Sequence, residues 1–124
     1  MLFIDLNKFK QINDTYGHEV GDVLLQKVSM RIKQQLRDTD TCARIGGDEF
    51  VILLSHTQNH QEAKQVMNRI KEAMIEPFKI KNHNLHCDVS QGAALYPEDG
   101  ASVQELLSQA DKNMYANIMH LQGE

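Results

Sequence analysis

The sequence predicts an α+β fold, an α/β sandwich in which helices flank a mainly antiparallel central sheet. Three observations lead to this prediction: the chain has the length of one domain, amphipathic helical stretches alternate with short strand-like runs, and most of those runs come in hairpin pairs. Of the 124 residues, 41% are hydrophobic and 24% are charged, which is ordinary for a globular protein with one core. We therefore expect a single domain over residues 1–124.

The first elements are predicted to be a strand and a helix. Residues 1–6 are apolar except for Asp5, which lies near the end of this strand. Residues 7–10 then turn the chain toward a helix. Over residues 20–36 an apolar side chain recurs at every fourth position, which predicts an amphipathic helix with one face toward the core.

A β-hairpin is predicted next, with two adjacent carboxylates at its tip. The strand-like runs at 41–45 and 50–54 flank the Gly46-Gly47 pair, which is expected to supply the positive φ values of a tight turn. Asp48 and Glu49 follow the glycines directly. Carboxylates on a stiff support, beside residues without Cβ, suit a divalent cation and a phosphate ligand.

A second helix and a second hairpin are predicted to follow. Asn59 and Glu62 have the spacing of a capping pair at a helix start. Residues 78–80 and 85–96 are strand-like, and a polar turn at 82–84 separates them. These two runs are expected to form the second hairpin.

The last helix is predicted to begin at a capping box formed by Ser102 and Glu105. The apolar stripe of this helix is expected to face the core: Val103, Leu106, Leu107, Ala110, Met114, Ile118 and Leu121. The order strand, helix, hairpin, helix, hairpin, helix is typical of sandwiches of the broadly ferredoxin-like kind.

Charge and hydropathy disfavour several classes of protein. The 17 acidic and 13 basic residues give a formal charge of −4, which disfavours nucleic acid as a partner because such affinity comes from concentrated Lys and Arg. No apolar run approaches the roughly 20 residues of a membrane span, and the N-terminus lacks the pattern of a signal peptide. We expect a cytoplasmic domain without membrane contact of its own, within a parent protein that can still be membrane-anchored.

The cysteines and histidines do not have the spacing of a zinc site. Cys42 and Cys87 lie far apart and are expected to be reduced and buried in strands, with a disulfide as the alternative. His83 and His86 lie in a polar segment without a second ligand pair at zinc spacing. Exposed polar side chains are the preferred interpretation of these histidines.

Asp5 and the hairpin carboxylates form a candidate metal site. If the first strand neighbours the hairpin, Asp5 and Asp48 can share a metal with Glu49 close by. Taken alone, Asp5 is equally well a turn-forming residue. The backbone N–H groups of residues 7–10, together with Lys10, can hold phosphate oxygens. Because the chain is acidic, a phosphate ligand would need a metal.

Four motifs occur in order: Phe-x-Asp-Leu-x-x-Phe-Lys-x-Ile-Asn-Asp at 3–14, Gly-His-x-x-Gly-Asp at 17–22, Arg-x-Gly-Gly-Asp-Glu-Phe at 44–50 and Ala-Leu-Tyr-Pro-Glu-Asp-Gly at 94–100. With these motifs the sequence resembles a GGDEF domain, the catalytic domain of diguanylate cyclases. The resemblance runs from Phe3 to about Tyr115, which is nearly the whole chain.

The resemblance implies a fold of the nucleotidyl-cyclase kind and a reaction that joins two GTP molecules into cyclic di-GMP. Each GTP is held by one of two facing domains of a homodimer, and Mg2+ or Mn2+ is the implied cofactor. By position, Asp5 and Asp48 are implied metal ligands, assisted by the carbonyl of Leu6. Glu49 is implied to bind metal or to take the proton of the attacking hydroxyl.

The resemblance also implies the residues that bind substrate. Phe9 and Lys10 match the family's phosphate-binding turn. Asn13 and Asp22 match its guanine-reading residues, an amide and a carboxylate suited to the edge of the purine. The Gly46-Gly47 pair is where the nucleotide is implied to lie against the backbone.

Arg37 and Asp40 match the family's Arg-x-x-Asp inhibitory site, at the expected distance before the glycines. They are implied to bind the product cyclic di-GMP and to hold the two domains apart. The alternative is a helix-terminating arginine followed by a turn aspartate.

Some positions depart from the family's pattern. After Tyr115 the family carries two cations that contact the triphosphate, whereas this chain has Ile118 and Gln122. Gln91 replaces a small apolar residue and is expected to face solvent, and Asn7 stands where many members carry a second aspartate. The family's preceding helix has no counterpart, so we expect an N-terminally truncated domain. The alternative function is a weak or inactive module that binds GTP or cyclic di-GMP as a sensor.

Overall fold

A computed structural model describes residues 1–55, 57 and 59–123 of the chain, with the side chains of the last helix described as far as residue 117. The elements follow in the order β1 (Leu2–Leu6), α1 (Phe9–Tyr16), α2 (His18–Lys33), β2 (Thr41–Arg44), β3 (Glu49–Leu53), α3 (His60–Ala73), β4 (Phe78–Ile80), β5 (His83–Leu85), β6 (Val89–Ala93) and α4 (Val103–Gly123).

The central sheet has four strands in the order β2-β3-β1-β6, and each neighbouring pair is antiparallel. The strands β4 and β5 form a separate two-stranded sheet. The predicted α+β class, with a mainly antiparallel sheet flanked by helices, is confirmed.

Side chains of β1 alternate between two cores, one on each face of the sheet. Leu2, Ile4 and Leu6 join the larger core, which includes side chains from α2 and α3. Phe3 joins a smaller core, to which α4 contributes Leu106, Ala110 and Met114. Asp5 is two residues beyond Phe3, so it projects from the face that α4 covers.

The predicted stripe of α4 is confirmed in its middle and wrong at its start. Leu106, Ala110 and Met114 are buried, and Leu107 is half-buried. Val103 is 63% exposed, because it lies ahead of Leu106, the first residue of α4 that reaches the core. The side chains of Ile118 and Leu121, and that of Gln122, lie outside the described residues.

Both predicted capping pairs are confirmed. The Glu62 N–H donates to Asn59 Oδ1 at 2.9 Å, which starts α3. The Glu105 N–H donates to Ser102 Oγ at 3.1 Å, which starts α4.

Two helices, α1 and α2, precede β2; α2 corresponds to the helix predicted over 20–36, and α1 lies before that range. They are separated at Gly17, whose φ of 94° lies in the left-handed region that glycine tolerates. The first of them, α1, buries only Phe9, so its apolar pattern is too short to predict a helix. The second, α2, ends at Lys33, and Leu36 packs against the larger core from beyond its end.

The second hairpin differs from its prediction. Lys81 has a φ of 55°, so the chain turns there and His83 pairs with Ile80 instead of lying in a turn. Residues 86–88 then leave this small sheet, and β6 pairs with β1 in the central one. The predicted long strand over 85–96 is therefore split between two sheets.

Three polar side chains lie elsewhere than expected. Cys42 is in β2 but half-buried, and Cys87 is buried but lies between β5 and β6; both thiols are free. Burial, with smaller effects of Asp88 and Asp48, raises the pKa of Cys87 to about 11. Gln91 is only 8% exposed, because it pairs with Ile4 and shares its core-facing side of the sheet.

His83 and His86 are both exposed, and the ring of His83 packs against Tyr16 with centroids 4.8 Å apart. Among the helices of the described residues, none is long and apolar enough to cross a membrane.

Candidate active site

The end of β1 brings together the acidic residues that the sequence singles out. Asp5 lies directly opposite Glu49 in the antiparallel pairing of β1 with β3, so the two side chains share one face of the sheet. Next to this pair, the Leu6 N–H donates to the Asp48 carbonyl at 3.0 Å. The condition for a shared site, that the first strand neighbours the hairpin, is met.

Asp5 is in an environment that disfavours its charged form. Burial raises its pKa from 3.8 to about 6, and the negative charges of Asp48, Glu49 and, more weakly, Asp111 add to the rise. Its Oδ1 atom is buried without a hydrogen-bond partner. An unsatisfied carboxylate oxygen among like charges is the kind of site that a bound cation stabilises.

The donor set therefore fits a hard divalent cation, which prefers oxygen ligands. Leu6 has a hydrocarbon side chain, so only its backbone carbonyl could serve as a ligand to such an ion. Within the described residues, no group of three His, Cys, Asp or Glu side chains is arranged to hold a metal. A cation here would need further oxygens, such as those of a bound phosphate.

The raised pKa of Asp5 leads to a prediction about stability. The folded-state pKa of Asp5, about 6, exceeds its unfolded value of 3.8. The contribution of Asp5 to the free energy of unfolding is therefore lost as the pH rises through 6. Asp5→Asn is expected to remove this loss. Near neutral pH the variant should be more stable than the wild type by about 1 kcal/mol, after discounting for partial exposure.

Denaturant unfolding of both proteins from about pH 4 to about pH 7.5, without divalent cations, measures this difference. Subtracting the two curves removes the other titrating groups. If the curves run parallel, the pKa of Asp5 is not raised. Added Mg2+ should stabilise the wild type more than the variant.

The hairpin loop does not use the expected positive φ values. Of the glycines that the structure describes, only Gly17 has a positive φ. The Ile45 N–H bonds to the Glu49 carbonyl at 3.0 Å, so three residues close the loop and no two-residue turn forms. Arg44 Nη1 holds the loop by donating to the Gly47 carbonyl at 3.2 Å. A Cβ at Gly47 would meet nothing within 4 Å, so a ligand can approach the backbone there.

The turn predicted to bind phosphate lies between β1 and α1. Lys8 has a φ of 61°, and no side chain caps the start of α1, so the first N–H groups of this helix are available to an anion. The side chain of Phe9 is buried in the core and can only anchor the turn. Lys10 is exposed.

The guanine-reading candidates lie on α1 and α2, with Asn13 against Gly21 and Asp22 next to that glycine in sequence. A Cβ at Gly21 would lie 1.7 Å from Asn13 Oδ1, so the absence of a side chain at Gly21 gives Asn13 its place. Asn13 Oδ1 is buried without a hydrogen-bond partner. Asp22 is exposed and borders an open groove of about 640 Å³ that Arg44 also lines. Gly21 and Arg44 belong to the motifs, but their residue types alone did not show that Gly21 makes room for Asn13 or that Arg44 lines the groove.

Arg37 and Asp40 form a separate cluster with Ser55. Asp40 accepts hydrogen bonds from the Arg37 N–H at 2.9 Å and the Ser55 N–H at 3.0 Å, and its side chain is 3% exposed. Although burial alone would raise it, the pKa of Asp40 is lowered by these bonds and by the Arg37 guanidinium. The turn role of Asp40 is confirmed, whereas Arg37 does not terminate a helix, since α2 ends at Lys33. The guanidinium side chain of Arg37 is 58% exposed.

Comparison with known proteins gives consistent matches. A family model described as "Diguanylate cyclase, GGDEF domain" matches residues 1–120. NbdA of Pseudomonas aeruginosa, named a cyclic di-GMP phosphodiesterase, is 46% identical over 110 residues, which are 89% of this chain and 14% of that protein. MucR of the same species, named a bifunctional diguanylate cyclase/cyclic di-GMP phosphodiesterase, is 42% identical over 93% of this chain and 17% of that protein.

Among solved structures, the GGDEF domain of TpbB (YfiN) from Pseudomonas aeruginosa superposes with a TM-score of 0.89 and 40% identity. The match covers 93% of this chain and 72% of that one. The chain thus spans less than a fifth of the two curated relatives, at 14% and 17% of their lengths.

Proposed function

The chain belongs to the GGDEF family of diguanylate cyclase domains, and from this premise we propose that it condenses two molecules of GTP into cyclic di-GMP and two of pyrophosphate. The observation that carries the proposal is the half-buried Asp5 carboxylate beside Asp48 and opposite Glu49, whose Oδ1 atom is buried without a hydrogen-bond partner. This acidic site lies next to a helix start suited to phosphate.

In the proposed reaction, the 3′-hydroxyl of each GTP attacks the α-phosphorus of the other, so two phosphodiester bonds form and two pyrophosphates leave. A Mg2+ or Mn2+ ion, when bound, supplies a Lewis acid that neutralises phosphate charge. Asp5 and Asp48, with the carbonyl of Leu6, would hold it. Glu49 would hold metal or take the proton of the attacking hydroxyl.

The nucleotide would be held from both ends. The first N–H groups of α1 and the Lys10 ammonium donate to the phosphate oxygens. The carboxylate of Asp22 accepts from the N–H groups on the edge of guanine, and the Asn13 amide pairs with the same edge. Because the two reacting groups belong to two nucleotides, two copies of this single site must face each other in a homodimer.

Nucleotide binding tests the proposal without requiring turnover. Titration calorimetry with 3′-deoxy-GTP, which lacks the attacking hydroxyl, and with ATP should show Mg2+-dependent binding that prefers the guanine nucleotide. Equal affinity for the two bases, or no binding of either, would count against the assigned site.

A second candidate function is a module that binds GTP or cyclic di-GMP without turnover. Two observations favour it: Ile118 and Gln122 stand where the family carries cations, and NbdA bears only a phosphodiesterase name. Loss of two charge-assisted contacts would weaken GTP binding by roughly a hundredfold or more. Binding of 3′-deoxy-GTP together with no product from GTP would identify this function.

We propose that Arg37 and Asp40 take part in product inhibition. The group that meets a phosphate of cyclic di-GMP is the exposed guanidinium of Arg37, whose Nη2 also donates to the Ser55 carbonyl at 3.0 Å. Arg37→Ala is expected to relieve product inhibition at least about tenfold, because a charge-assisted contact is worth roughly 1.5–3 kcal/mol, while the initial rate hardly changes. Initial rates at increasing concentrations of cyclic di-GMP give the inhibition constant of each protein.

Lys33→Ala is the matched control, since it removes an exposed cation from the end of α2. It should leave the inhibition constant unchanged. Equal inhibition of Arg37→Ala and wild type would remove Arg37 from the site and leave its alternative role in the turn with Asp40.

A further inference from the structure

Ser90 joins β6 to the turn that follows β1. It lies directly opposite Asp5 in the pairing of the two strands, and its hydroxyl donates to Asn7 Oδ1 at 2.8 Å. Asn7 is 83 positions away in sequence and immediately precedes the left-handed Lys8. This side-chain bond therefore connects the acidic site to the turn that presents the N–H groups of α1.

The same turn is held on both sides by the backbone. On one side the Asn7 N–H donates to the Asp88 carbonyl at 2.9 Å, and on the other the Leu6 N–H donates to the Asp48 carbonyl. A left-handed non-glycine residue such as Lys8 is retained only where its surroundings fix it. Of the three hydrogen bonds described around this turn, the one from Ser90 to Asn7 is made between side chains.

We propose that Ser90 and Asn7 are positioning residues for the nucleotide's phosphates, an inference that rests on the proposed function. The backbone bonds already set the register of β1 with β6. The Ser90–Asn7 bond lies at the end of that ladder, so it fixes the turn more than the sheet. It keeps the start of α1 at the distance from Asp5 and Asp48 at which one phosphate group can meet both.

Ser90→Ala removes the donor. It is expected to raise the dissociation constant of 3′-deoxy-GTP and the KM for GTP about fivefold, the effect of one neutral hydrogen bond. The kcat per folded molecule should stay within about twofold, because Ser90 touches no reacting atom. A purely structural role would instead lower the folded fraction, and with it the apparent kcat, at constant KM.

Three further variants sharpen the test. Ser90→Thr keeps the hydroxyl and should bind as the wild type. Asn7→Ala removes the acceptor and should match Ser90→Ala, and the double variant should be no worse than either single one. Ser108→Ala, at an exposed position on α4, controls for loss of a serine hydroxyl.

The preference for guanine over adenine should persist in Ser90→Ala, since Asn13 and Asp22 are untouched. If the wild type binds 3′-deoxy-GTP and Ser90→Ala binds it equally well, this inference is wrong while the proposed function stands. Additive losses in the double variant would also overturn it. If the wild type binds no guanine nucleotide, the proposed function fails and takes the inference with it.

Discussion

Replacing Asp48 with asparagine is expected to lower the rate of cyclic di-GMP formation at least about a hundredfold, because it removes a charged ligand from a site that stabilises developing charge. The side chain keeps its size and the fold should persist, since the hydrogen bond from the Leu6 N–H to the Asp48 backbone carbonyl is unaffected. Product formation from GTP and Mg2+ measures the rate, and circular dichroism checks the fold.

Glu72→Gln is the matched control, because it neutralises an exposed carboxylate on α3. It should leave the rate unchanged. Turnover by Asp48→Asn at the wild-type rate would contradict the assignment of Asp48 to the metal site.

Replacing Gly92 with alanine is expected to destabilise the fold by about 3 kcal/mol or more, an overpacking cost that the backbone cannot relieve cheaply. A Cβ at Gly92 would lie 2.0 Å from the Ala110 carbonyl oxygen and 2.3 Å from the Met114 nitrogen. Both atoms belong to the backbone of α4, so the helix must move away from β6. Denaturant unfolding measures the loss.

Gly47→Ala controls for the loss of a glycine. Its new Cβ would meet nothing within 4 Å, and its φ is not positive. The free energy of unfolding should change by less than about 0.5 kcal/mol. Equal stabilities of the two variants would show that α4 does not pack against β6 at Gly92.

The fold was largely predictable because its strands and long helices carry clear periodicity. The first strand, predicted over residues 1–6, and the capping pairs at Asn59 and Ser102 appear in the structure as predicted. The strand register could not be predicted from the sequence in the same way. Gln91 faces the core because of its pairing with Ile4, and the sequence contains nothing that fixes that pairing.

The candidate site was predictable as a list of residues and less so as an arrangement. The acids were found from their types and motifs, and the structure supplied the opposition of Asp5 to Glu49. The predicted conformation of the hairpin loop was wrong because a Gly-Gly pair is compatible with several turn types and does not specify one of them. The link between Ser90 and Asn7 was missed because their hydrogen bond joins segments that only the folded sheet brings together.

Synthesis of cyclic di-GMP by this chain is the proposal on which the roles of the site residues depend. The most direct measurement is to incubate the purified protein with GTP and Mg2+ or Mn2+ at several protein concentrations and to quantify cyclic di-GMP by chromatography with mass detection. The proposal requires product and pyrophosphate in a ratio of one to two, with a rate that rises more steeply than the protein concentration because two copies must meet. No product at high protein concentration, in a preparation that binds 3′-deoxy-GTP, would contradict it.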